Sequence, residues 1–282
     1  MPTEKKKVAY ILELFWYKKN QTLDSMSTEY KTFMVVTLNH KGGVGKTTTA
    51  YNLGHALARM GYKTLLLDLD PQANMTAVCG VEISEGQKTL YNVLIDKDLE
   101  KLPLISLREN LDLLPSELRC TEAELRLQSD SISGNYALKT ALEKVQDHYQ
   151  FVIMDCPPSL GALTLNALVA GTHLLVTVQA SYLAIKGLQT LIEVVERIKK
   201  FLNPQLLMGG MVLTQVNHTV VRKHLADSLR ELYQGHVFEA VIRQNVALEE
   251  AALNREDIFT YAPKSSGAED YAALAQELLT RF

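Results

Sequence analysis

Residues 34–49 read Met34-Val-Val-Thr-Leu38-Asn-His-Lys41-Gly-Gly-Val-Gly-Lys46-Thr-Thr-Thr49. The apolar run Met34–Leu38 reads as a buried strand, and Thr48–Met60 reads as a helix that stops at Gly61. Strand, glycine-rich loop and helix follow one another in the order that a phosphate-binding loop requires. The glycines let successive backbone N–H groups face one concavity, and the helix start adds partial positive charge. Lys41, Gly42, Gly43, Val44, Gly45, Lys46, Thr47 and Thr48 would line it. In such a loop Lys46 reaches the β- and γ-phosphates and the Thr47 hydroxyl ligates Mg²⁺. The strict pattern G-x-x-x-x-G-K-[ST] fails at its first position, which is His40, and a second lysine, Lys41, stands in the loop.

Working outward, further short apolar runs read as strands: Thr64–Asp68, Leu111–Pro115, Phe151–Asp155, His173–Val178, Leu207–Thr214 and Val237–Val241. Helical patterns lie between or after them at Tyr136–His148, Leu163–Ala170, Lys186–Phe201, Val220–Tyr233 and Ala268–Phe282. Strands without polar alternation, separated by helices, predict an α/β fold. Its mostly parallel, twisted sheet would carry helices on both faces. Ligands in such folds sit at the carboxyl ends of strands, where the loop lies. Two other strands end there in carboxylates. Thr64–Asp68 continues into Leu69-Asp70-Pro71-Gln72, and alternation sends Asp68 and Asp70 to one side. Phe151–Asp155 continues into Cys156-Pro157-Pro158, and its aspartate suits a role beside Mg²⁺. Cys156 has no base placed with it by sequence and reads as a small buried residue.

The chain has 282 residues, of which 47% are hydrophobic and 22% charged. That is ordinary for a globular protein and ample for a full core. A net charge of −3 does not advertise nucleic-acid binding, so any such contact must use a local patch. No apolar run reaches the ~20 residues that span a bilayer, and no signal-peptide pattern opens the chain. Cys79, Cys120 and Cys156 are scattered without a C-x-x-C, which fits a reducing cytoplasm and argues against zinc or an iron–sulfur cluster. Residues 1–33 differ in texture. Lys5-Lys6-Lys7 and Lys18-Lys19 flank an apolar-aromatic stretch, Val8–Tyr17, so they read as a basic, amphipathic extension ahead of a 34–282 domain.

Lys41-Gly-Gly-Val-Gly-Lys-Thr-Thr48 resembles the deviant Walker A box of the ParA/MinD family of P-loop ATPases. Asp68-Leu-Asp70-Pro71-Gln72 resembles that family's D-x-D-P-Q box, and Asp155-Cys-Pro157-Pro158 its Walker B strand with D-x-P-P. Val178-Gln179-Ala-Ser181-Tyr182-Leu-Ala184-Ile-Lys186-Gly187 is similar to V-Q-A-E-Y-x-A-x-x-G, with Ser181 for the glutamate. Arg243-Gln244-Asn245-Val246 is similar to P-R-N-V, with Arg243 for proline and Gln244 for arginine. Pro263 to Tyr271 matches P-x-S-x-G-A-x-x-Y. The resemblance runs from about Met34 to the C-terminus and is nearest to the ParA partition branch.

The resemblance implies ATP/ADP and Mg²⁺ as ligands, with Thr47, Asp68 and Asp155 around the metal and Thr214 and Gln215 beside the nucleotide. It implies that Lys46 and Asp70 serve hydrolysis, Asp70 by placing the attacking water. Lys41 would cross a homodimer interface to the partner's nucleotide, so that ATP joins two protomers and slow, partner-stimulated hydrolysis releases them. It implies a cytoplasmic, nucleoid-associated protein that binds duplex DNA nonspecifically and answers to a ParB-like or other adaptor. The candidate DNA contacts are Arg222, Lys223, Arg230, Arg243, Arg255, Lys264 and Arg281. A MinD-like membrane-associated ATPase is the alternative, disfavoured because Tyr271–Phe282 carries only Arg281 and reads as a docked core helix. A synthetase that uses ATP to activate a carboxylate is a third reading, with no further His/Cys/Asp constellation to support it.

Overall fold

The computed structural model describes residues 32–282 apart from 97, 131–132, 146, 180–181 and 218–219, and apart from the side chains of 182–186 and 220–225. The extension at 1–31 lies outside the described residues. The chain runs β1 (Phe33–Leu38), α1 (Lys46–Arg59), β2 (Thr64–Asp68), α2 (Asn74–Val78), α3 (Leu90–Ile95), β3 (Ile105–Arg108), β4 (Leu111–Leu114), α4 (Cys120–Ser129) and α5 (Ala137–Leu142). It continues through β5 (Phe151–Asp155), α6 (Ala162–Ala170), β6 (His173–Gln179), α7 (Tyr182–Phe201), β7 (Leu207–Val216) and α8 (Val220–Leu232). β8 (Val237–Arg243), α9 (Val246–Leu253), α10 (Ile258–Tyr261) and α11 (Ser266–Arg281) complete it.

The strands form one sheet in the order β3-β4-β2-β5-β1-β6-β7-β8. Every pairing is parallel except the antiparallel edge pair β3–β4. Successive residues of the central strands enter opposite cores. Val36, Leu65, Leu67, Val152 and Met154 face one apolar cluster with α3, α4, α6 and α7. Val35, Leu66, Phe151 and Ile153 face the other, with α1 and α11. Burial on both faces is the physical reason these strands show no polar alternation. The expected fold is therefore observed.

Register puts the site together. Thr37 of β1 pairs with Asp155 of β5, and Asp155 pairs with Asp68 of β2. The ends of three adjacent strands thus converge where α1 begins. Gly54 lets α1 press onto β2, because a methyl group there would lie 2.5 Å from Leu66 Cδ2. On its other side α1 is tied to α11, with Thr49 Oγ1 3.3 Å from the Tyr271 hydroxyl.

One expectation needs correction, and one strand is additional to those expected. The helix expected over Tyr136–His148 is a 3₁₀ turn, Gly134–Tyr136, followed by α5, which ends at Leu142. Beyond it the bonds tighten to i→i−3 (Lys144 N to Ala141 O, Val145 N to Leu142 O), because the chain turns to deliver Tyr149 to Asp112 at 2.6 Å. The edge strand β3 was not expected from sequence. Its residues are at most partly buried and its pairing with β4 is bulged.

Candidate functional site

The loop between β1 and α1 is shaped by glycine. Gly43 and Gly45 sit at φ 72° and 82°, left-handed values that a side chain resists. Gly45 caps α1 without a side-chain hydrogen bond, and no acidic residue occupies the first turn. In contrast, α9, α10 and α11 each start on a side-chain cap: the side chains of Asn245, Asp257 and Ser265 accept backbone N–H groups. The start of α1 therefore offers its N–H groups and helix dipole to an anion. Strand β7, separated from β1 by β6, braces the loop. Thr214 Oγ1 donates to Val44 O at 2.8 Å, and Gln215 Nε2 donates to Gly43 O at 2.8 Å. The two β7 residues expected beside the nucleotide thus hold the loop backbone itself. Thr48 is half-buried in the first turn, where its carbonyl accepts from Asn52.

Lys46 is buried, and its ammonium donates to Lys41 O at 3.3 Å. Burial lowers its pKa, opposed by the negative charge of Asp155. Asp155 is fully buried, and neither carboxylate oxygen meets a hydrogen-bond partner among the described residues. Burial, and then neighbouring Asp68, drive its pKa well above the usual carboxylate range. The Thr47 hydroxyl and the Lys46 ammonium lie near enough to pull it back, although neither completes a geometrically formed hydrogen bond. A buried carboxylate without a donor is costly unless a cation takes that place. The residues present therefore fit a hard divalent ion between Thr47 and Asp155, with a polyphosphate on the loop.

Asp68 differs. Its Oδ2 accepts from Thr76 N at 2.8 Å and Thr76 Oγ1 at 2.7 Å, and its Oδ1 accepts from Asp70 N at 3.1 Å. Burial still pushes its pKa up to about 6. Both oxygens are engaged with protein, so Asp68 anchors α2, and Asp155 is the carboxylate left open to a metal. The strand alternation that would align Asp68 with Asp70 ends between them, because β2 stops at Asp68. Asp70 accepts from Gln72 N at 2.9 Å and retains slight exposure, 8%. Cys156 is buried, and burial raises its thiol pKa well above the ordinary value, which suits a packing role.

Lys41 is exposed, and its ammonium donates to Gln179 Oε1 of β6 at 3.1 Å, within its own chain. Neither Gln179 nor Thr76 was singled out as a site residue by sequence. Gln179 does stand in the V-Q-A segment, which was the available signal; nothing around Thr76 pointed to its bond with Asp68.

Among the described residues, the candidate DNA contacts are not brought together as a free basic face. Arg243 donates to Asp270 at 2.7 Å and Glu269 at 3.0 Å. Arg281 pairs with Glu277 at 2.6 Å, donates to Val237 O and lies over the Phe238 ring. Arg255 pairs with Glu82 at 3.1 Å, and the Nε of Arg230 is buried. Lys264 is exposed, while the Arg222 and Lys223 side chains lie outside the described residues. The C-terminal helix α11 buries Tyr271, Leu274 and Leu278 against the domain, as expected. Among the described residues no helix is long and apolar enough to cross a membrane.

Fold and loop together define a P-loop nucleotide-binding protein. A family profile described as an AAA domain matches residues 32–208. The sporulation initiation inhibitor protein Soj of Bacillus subtilis is 39% identical over 248 residues, covering 87% of this chain and 97% of its own. The chromosome partitioning protein ParA of Myxococcus xanthus is 37% identical over 245 residues, 86% of each chain. The crystal structure of cobyrinic acid a,c-diamide synthase from Mycobacterium smegmatis, with bound ADP and magnesium, superposes with a TM-score of 0.76 at 32% identity. The match covers 88% of this chain and 94% of that one. The chain belongs to the ParA/MinD family of P-loop ATPases.

Proposed function

We propose that this protein is a nucleotide-switched positioning ATPase. It binds ATP with Mg²⁺, pairs with a second copy, and holds DNA nonspecifically until an adaptor stimulates hydrolysis. The observation that carries the reading is the buried, unpartnered Asp155 beside Lys46 and Thr47 at the uncapped start of α1. The identities to a ParA and to Soj, both near full length, support the partition branch.

Phosphoryl transfer to water demands positioning and charge neutralisation more than covalent chemistry. Lys46 and the N–H groups of residues 42–48 would bind and neutralise the phosphates. Thr47 and Asp155 would hold Mg²⁺, which supplies charge neutralisation on the phosphate oxygens. Asp70, buried two residues beyond the end of β2, would orient the water that converts ATP to ADP and phosphate. Lys41 would reach from one protomer to the nucleotide of the other. DNA contact falls to Arg222, Lys223 and Lys264, since Arg243 and Arg281 are neutralised within the chain. A cytoplasmic protein carried on the nucleoid follows from that activity.

Filter binding with random duplex DNA and with anionic liposomes, each with and without ATP, tests the reading. DNA retained only with ATP is expected. Liposome retention instead would favour the MinD-like alternative. Retention of neither, with ATP consumed only alongside a carboxylate substrate, would favour amide synthesis, the activity named for the Mycobacterium smegmatis neighbour.

A further inference from the structure

The residues that lead into the phosphate loop are seated on one corner of the same chain, where β6 gives way to α7. The Lys41 ammonium donates to Gln179 Oε1 at 3.1 Å. Gln179 Nε2 donates onward to Gln215 Oε1 at 2.6 Å, and Gln215 Nε2 donates to Gly43 O at 2.8 Å. The bonds run in one direction and close a circuit from the loop, across β6 and β7, back to the loop. Gln215 adopts φ 52°, a left-handed conformation uncommon for a residue with a side chain, and it makes these two bonds from there. Beside this circuit, His40 lies against α7 at Gly187. A methyl group there would stand 2.6 Å from His40 Cε1 and 2.7 Å from Nε2. The two residues that precede Gly42 are thus each held by the corner, one by an amide and one by the absence of a side chain.

We propose that this corner is a resting seat for His40 and Lys41, and that Gln179 is a positioning residue that parks Lys41 on its own subunit. The proposal rests on the reading that Lys41 acts across a dimer. An exposed ammonium on a neutral amide is held weakly, so it can exchange its partner for a triphosphate. A carboxylate at the same place would hold it more firmly. The seat therefore sets how much nucleotide is needed before two copies join: every protomer must first give up its own Lys41–Gln179 bond. The Gln215 link makes that release felt at Gly43, inside the phosphate cradle.

The test uses the full chain and sedimentation across an ATP–Mg²⁺ titration. Gln179→Ala is expected to lower the ATP concentration at half-dimerisation by about fivefold. Gln179→Glu, nearly isosteric, is expected to raise it by at least as much, because the amide becomes an ion-pair partner. Opposite shifts from the two variants separate parking from simple damage to the loop. Unchanged midpoints, or shifts in the same direction, overturn the proposal. Gly187→Ala tests the neighbouring seat: it should weaken ATP binding, and His40→Ala on the same chain should restore it, whereas failure of that rescue removes His40 from the seat. Lys41→Ala serves as the reference. If that variant dimerises normally, the dimer reading itself falls; if it does not and the Gln179 variants behave as wild type, only the parking falls.

Discussion

The strand ends that surround the phosphate loop and the C-terminal layer of β8 and α11 both concentrate charge, yet they treat it oppositely. At the loop, Asp155 is buried with no donor among the described residues and α1 begins with no side-chain cap. In the C-terminal layer, Arg243 meets Asp270 and Glu269, Arg281 meets Glu277, and the starts of α9, α10 and α11 are capped. Polar groups left without partners in a folded interior cost stability, so they persist where something outside the chain completes them. Polar groups that are fully partnered serve the fold. The contrast separates a ligand site from a scaffold made of the same residue types.

The contrast can be broken most directly at Lys46. Lys46→Ala should weaken ATP binding by more than about a hundredfold, equivalent to about 3 kcal/mol, measured with a fluorescent nucleotide analogue. Wild-type affinity in that variant would remove the loop from the site.

A second test concerns the later half of α1, beyond the turn that adjoins the loop. His55 is buried 3.4 Å from Asp257, beside Arg59 and Arg108. Burial lowers its pKa to about 4, with Asp257 opposing. A neutral histidine held below its unfolded pKa contributes stability that is complete above about pH 6.5 and is lost as pH falls toward 4. The loss should reach at most about 3 kcal/mol, read from urea denaturation at stepped pH. Burial would raise the pKa of Asp257, but Thr260, His55 and Arg59 outweigh it and the net shift is downward. Its own contribution therefore disappears only at still lower pH. A His55→Phe chain should flatten the upper window; an unchanged slope there would assign the acid sensitivity elsewhere.

Asp155→Asn sharpens the comparison by opposing function to stability. It should abolish Mg²⁺-dependent hydrolysis and yet stabilise the nucleotide-free protein by about 1–2 kcal/mol, because a neutral amide escapes the cost of either ionising or protonating a buried carboxyl. Thermal melting in chelator, with no nucleotide, reads the sign. The smallest effect belongs to the scaffold. Arg243→Ala should cost about 1 kcal/mol of stability through loss of its bonds to Asp270, partly screened because the guanidinium is half exposed. It should leave ATP-dependent DNA retention within about twofold of wild type, while Lys264→Ala lowers it more. A large loss of DNA binding with Arg243→Ala would mean that its ion pairs open on DNA.

Much of this was legible in the chain. Met34–Leu38, Thr64–Asp68 and Phe151–Asp155 are strands because continuous apolar runs of that length are stable only when buried on both faces. The loop was legible because its glycines and Lys46-Thr47 lie together in sequence. The helix at 136–148 was overextended because turn geometry there is set by where Tyr149 must reach, 37 residues from its partner Asp112. The edge strand β3 was missed because a short, half-exposed segment has little pattern of its own.

By itself the sequence determined the fold class, the glycine loop between β1 and α1 and the strand-end carboxylates, since all three are written in local spacing and periodicity. Only the tertiary structure decided which carboxylate is open, where Lys41 rests and whether the C-terminal arginines are free. Asp68 and Asp155 look alike in sequence, and Thr76, eight residues beyond Asp68, sets them apart. Lys41 and Gln179 are separated by 138 residues, and Arg243 and Asp270 by 27. The physical reason is common to all of them: the chemistry of a polar group depends on which donors and acceptors reach it, and folding, not adjacency, brings them.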